Sequence, residues 1–63
     1  MSFTEKLQRE QLESLKGQFN YASDCLANRQ NEMTSFEVKE YTKVTTDLAN
    51  EILELENHIK NVF

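Results

Sequence analysis

At 63 residues and a net charge of −4, the chain has room for one small domain, residues 1–63. Its single cysteine excludes an intrachain disulfide, and its single histidine makes a poor metal-ligand set. A chain this short buries only about 60% of its unfolded surface, so association with another chain is the remaining route to stability.

With no proline and one glycine, the composition favours long helices. The charge is unevenly placed. Residues 1–31 balance four basic against four acidic groups, whereas residues 32–63 carry three basic and seven acidic. An acidic second half disfavours nonspecific binding to nucleic acid or anionic membrane. Met1 to Glu10 lacks the apolar run of a signal peptide, and no stretch approaches the ~20 apolar residues of a membrane span. The expectation is a soluble cytoplasmic protein that does not bind membranes.

Ser2-Phe3-Thr4-Glu5 reads as a capping box, with the Ser2 hydroxyl and the Glu5 carboxylate both satisfying amide hydrogens of a first helical turn. A helix is predicted from there over about 3–30, supported by the i,i+4 pairs Glu5–Arg9 and Lys6–Glu10. Leu12, Leu15, Phe19, Ala22 and Leu26 step by threes and fours along one face, while Phe3 and Leu7 lie off that phase. Gly17 falls away from the seam. It is either a tolerated surface glycine or the site of a kink or close approach.

Residues 30–36 contain neither glycine nor proline, so the turn rests on two other signals. Thr34-Ser35-Phe36-Glu37 is a second capping box, with Met33 and Val38 placed as a hydrophobic staple. The seam phase also breaks. Extending Leu12, Phe19 and Leu26 by sevens leads to Met33 and Glu40, whereas the next seam starts at Val38. The predicted fold is all-α, an antiparallel two-helix hairpin with helices over about 3–30 and 35–62. One continuous or bent helix is the alternative.

The second helix carries the strongest pattern in the chain. Val38, Tyr41, Thr45, Leu48, Ile52, Leu55, Ile59 and Val62 alternate steps of three and four. With β-branched residues at the first seam position and mostly Leu-like ones at the second, this is a coiled-coil seam that pairs with other helices. Thr45 is its one polar member and a candidate for setting register. Val44, Phe36, Leu53 and Phe63 add apolar surface that one antiparallel neighbour does not cover. That surplus is satisfied by self-association into a helical bundle or by a partner's helix.

No motif for chemistry accompanies the seam. His58 follows Glu54 by four residues rather than the three of di-iron bundles, and its placement suits a helix C-terminus. Cys25 borders the first seam and has only Arg29 nearby to activate it. No glycine-rich phosphate loop and no nucleophile–base set is present, so no enzyme activity and no cofactor are expected. Asp47, Glu51 and Glu54 form an acidic edge, either a solvated face or a surface that docks on a basic target.

By length and layout alone the chain is similar to small co-chaperones of type III secretion needle subunits and to the plasmid hairpin protein Rop; no residue motif carries either likeness. Three functions follow. A helix-binding adaptor or chaperone would use the interface residues Leu12, Leu15, Phe19, Leu26, Val38, Tyr41, Leu48, Ile52, Leu55, Ile59 and Val62. An acidic inhibitor of phage or plasmid type would use Asp47, Glu51 and Glu54 on a basic or nucleic-acid-binding site. A Rop-like dimeric RNA-binding bundle would need its basic residues gathered on one face, yet Lys6, Arg9 and Lys16 are interleaved with Glu5, Glu10 and Glu13. The seam outweighs the charge, and the helix-binding module is the favoured expectation.

Overall fold

A computed structural model describes residues 2–63; Met1, which the expected 1–63 domain includes, lies outside the described residues. The chain forms two α-helices joined by a tight turn, α1 over Phe3–Arg29 and α2 over Ser35–Val62. The all-α hairpin is the fold, with both helices within one residue of the expected limits.

Each helix starts where its cap dictates. Ser2 Oγ accepts the Glu5 N–H at 3.1 Å, satisfying one free donor of the first turn of α1. The Glu5 carboxylate engages Arg9 at 2.9 Å, so the Ser2 box is carried by its hydroxyl half. At α2 the box closes in both directions: Glu37 N–H donates to Thr34 Oγ1 and Thr34 N–H donates to Glu37 Oε1, each at 3.1 Å. Lys6 and Glu10 form no ion pair among the described residues, so the support expected from that pair is not used.

Between the helices, Gln30–Glu32 tighten into one turn of 3-10 helix and Met33 swings to an extended conformation. Its N–H still reaches the Gln30 carbonyl at 3.1 Å, which closes the turn without glycine. Arg29 donates to Glu32 across it at 2.9 Å, and that hydrogen bond raises the guanidinium pKa above its ordinary value. Met33 and Val38, the expected staple, are both half-buried.

The hairpin is a rod of 45 × 14 × 12 Å. Its radius of gyration of 14.4 Å exceeds the roughly 11 Å of a compact domain of this length. Two helices have one shared stripe and no interior. Leu12, Ala22, Leu48 and Ile59 are the buried hydrophobic residues, and none of the described side chains is fully sealed from solvent. Leu15, Phe19, Leu26, Val38, Tyr41, Ile52 and Leu55 are half-buried along the same seam.

One end of the seam differs from expectation. Val62 is 59% exposed. A straight helix drifts by about 20° per heptad, so three heptads carry Val62 about 60° away from the direction of Tyr41. At the N-terminus of α1, the three-four stepping continues back from Leu12 to Gln8 and Glu5, both half-buried. Phe3 and Leu7, expected off the seam phase, are turned out, at 76% and 49% exposure. Polar residues therefore sit at the open end of the seam, and Gln8 Oε1 is shielded there without a hydrogen bond.

Thr45 spends its hydroxyl on the Tyr41 carbonyl at 2.7 Å, within its own helix. It makes no bond to α1 by which to set register. Thr42 and Thr46 bond back in the same way, at 2.7 and 2.9 Å. Gly17 is helical, exposed and without a positive φ, and a Cβ built on it meets nothing within 4 Å. Within the hairpin it is a surface glycine inside an unbroken helix, with no close neighbour.

Candidate partner-binding surface

Pairing the two seams leaves two long flanks, one on each side of the line where the helices meet, and the sequence dresses them differently. On one flank Phe19 and Ile52 line a shallow groove with Lys16, Asn20, Ala49 and Leu53. Further along, Leu53 shares a second recess with Arg9, Leu12, Glu56, Ile59 and Lys60. Lys16 reaches Glu56 at 3.9 Å here, the one ion pair between helices among the described residues. With both side chains more than 40% exposed, it contributes little to stability.

The opposite flank has two banks. On α1, Phe3, Leu7, Gln11, Ser14, Gln18, Tyr21 and Cys25 follow steps of four and three, a row without a charge until Arg29 at its turn end. On α2, Glu37, Glu40, Val44, Asp47, Glu51, Glu54 and His58 do the same, a row with five carboxylates. The two rows face one another across the hairpin. Gln11 lines one recess with Glu51, Glu54 and His58, over a floor of Leu15 and Leu55. Tyr21 and Cys25 line another with Glu37 and the Arg29–Glu32 pair, over Tyr41 and Met33.

Neither the five carboxylates of this bank nor His58 joins an ion pair among the described residues. The expected edge of Asp47, Glu51 and Glu54 is therefore part of a longer acidic bank that begins at Glu37. The signal for it lay in the same three-four spacing used for the seam, read one position to the side. His58 packs edge-on to the Phe63 ring at 6.5 Å and 84°. No group of three or more His, Cys, Asp or Glu among the described residues is arranged to hold a metal ion. Cys25 is a free, half-buried thiol.

Eight large hydrophobic side chains are exposed, and five of them, Phe3, Leu7, Tyr21, Val44 and Val62, lie along this flank. The whole hairpin exposes 4925 Å², against about 4200 Å² for a compact monomer of its mass. The excess of about 700 Å² is close to the ~800 Å² per partner that a standard protein interface covers.

These features define a helical hairpin with an unfilled lateral surface. No helix among the described residues is long and apolar enough to cross a membrane. No protein family matches the chain, and neither the curated proteins nor the solved structures give a match.

Proposed function

We propose that this chain is a small non-enzymatic interaction module, an adaptor or chaperone-like hairpin that is completed by helices from outside its own fold. The observation that carries the reading is the surplus of exposed hydrophobic side chains over buried ones. The seam residues Leu12, Leu48 and Ile59 are spent on joining α1 to α2, so an incoming helix rests on the flanks and on the half-buried edge of the seam. Burial there is worth roughly 25 cal/mol per Å² of apolar area.

Sedimentation equilibrium over a wide concentration range, with helicity recorded on the same samples, tests this. The expected result is a mass that rises with concentration, or a poorly helical chain that lacks its partner. A fully helical monomer that melts cooperatively at every concentration would overturn the reading.

One observation favours a second reading. The unpaired carboxylates of Asp47, Glu51 and Glu54 suit an acidic inhibitor that docks on a basic site of a target protein. Neutralising all three would then abolish inhibition while leaving helicity unchanged.

A further inference from the structure

The flank with the acidic bank is an incomplete groove, and we propose that its occupant is a basic amphipathic helix of another protein. The inference rests on the interaction-module reading and supplies the partner's chemistry. The bank on α1 is uncharged up to Arg29 at its turn end and offers Leu7 and Tyr21, both exposed. The bank on α2 offers Val44 among five carboxylates, none of which joins an ion pair among the described residues; Glu37 alone is engaged, by the Thr34 N–H. Glu37 to Glu54 spans about 25 Å at the helical rise, matching an incoming helix of roughly 17 residues. Such a helix sets its apolar stripe on Leu7, Tyr21 and Val44 and turns lysines or arginines to the acidic side.

Charge decides between occupants. A second copy of this chain is a poor match for the bank: flank to flank it brings the same carboxylates and one cation, Arg29, already bonded to Glu32, and its other flank mixes Arg9, Lys16 and Lys60 with Glu56, which Lys16 engages. Covering the bank with it would strip water from the acidic groups and return few charge partners. An acidic helix, a nucleic acid or an anionic membrane is repelled. A basic amphipathic helix satisfies the apolar and the acidic bank together.

Three synthetic peptides of 18 residues separate the contributions. One has leucines at heptad seam positions and lysines beside them, the second is a shuffle of the same composition, and the third replaces each lysine with glutamine. Calorimetric titration into the full chain should show the basic amphipathic peptide binding at least about tenfold tighter than either control. That advantage should shrink about tenfold or more between 0.05 and 0.5 M salt, as exposed charge pairs are screened. Leu7→Ser with Val44→Ser, and separately Asp47→Asn with Glu51→Gln and Glu54→Gln, should remove it at unchanged helicity. Leu53→Ser on the other flank should not.

Equal binding of the glutamine peptide would overturn the inference and leave the interaction-module reading standing. Equal binding of the shuffled peptide would reduce the effect to bulk charge and overturn it too. Loss of binding in Leu53→Ser alone would place the occupant on the wrong flank. Absence of all binding, together with a stable helical monomer in sedimentation, would overturn both readings.

Discussion

Thr34 and Glu37 hold each other's backbone: the hydroxyl of one accepts from the amide of the other at 3.1 Å, and the carboxylate returns the bond at the same distance. This reciprocal clasp starts α2 immediately after a turn that has no glycine or proline. Thr34→Ala should therefore cost about 1 kcal/mol of stability, read as a shift of the urea midpoint with an unchanged slope. Ser2→Ala should cost no more than this, because the Glu5 carboxylate is engaged with Arg9. Equal or larger loss at Ser2 would contradict the assignment of Thr34 as the stronger cap.

Gly17 is the simplest position at which to strengthen the hairpin. With open space around the Cβ that alanine would add, Gly17→Ala should stabilise it by roughly 0.5–1 kcal/mol through helix propensity alone. Thermal melting followed by circular dichroism reads this as a rise of a few degrees. A lowered melting point would mean that another chain lies against α1 at this residue.

Gln8 should respond in the same direction for a different reason. Its shielded side-chain oxygen has no hydrogen-bond partner and sits on the inward stepping of α1. Gln8→Leu removes the orphaned acceptor and adds apolar area, a gain of about 1–2 kcal/mol. Denaturant titration of the variant checks it, and an unchanged midpoint would mean the oxygen is solvated.

Leu48 and Val62 both occupy the second position of the heptad seam, yet Leu48 is 9% exposed and Val62 59%. Leu48→Ala should cost about 2–4 kcal/mol, while Val62→Ala in the free hairpin should stay within about 0.5 kcal/mol. Comparable losses at both positions would show that the seam stays closed to its end.

The sequence was most legible where one local rule acted alone. Thr34 and Glu37 announced the start of α2 through capping chemistry, and the mismatch between the Leu26 and Val38 phases announced the turn. It was least legible where two rules conflicted. At the start of α1, Phe3 and Leu7 lie off the seam phase as their spacing indicated, but the positions that the phase selects, Glu5 and Gln8, are polar and hydrophobicity gave no sign of them. Val62 fits the seven-residue pattern but not the 3.6-residue turn of a straight helix. The acidic bank was read in part, as Asp47, Glu51 and Glu54, because its extent depends on which row of α1 lies across from it. That pairing comes from the hairpin's register and not from either helix alone.

The antiparallel layout brings Phe3 and Val62 to the same pole of the rod, with the turn at the far pole. The pole where the strands of the hairpin part is also where the inward positions are polar, at Glu5 and Gln8. Tension applied through the two ends should thus peel the helices apart like a zipper, beginning at its weakest teeth and advancing one layer at a time toward Thr34. A single-molecule pull across this geometry should meet low, gradual resistance, whereas the same pull along α2 alone would meet the full ladder of its backbone hydrogen bonds.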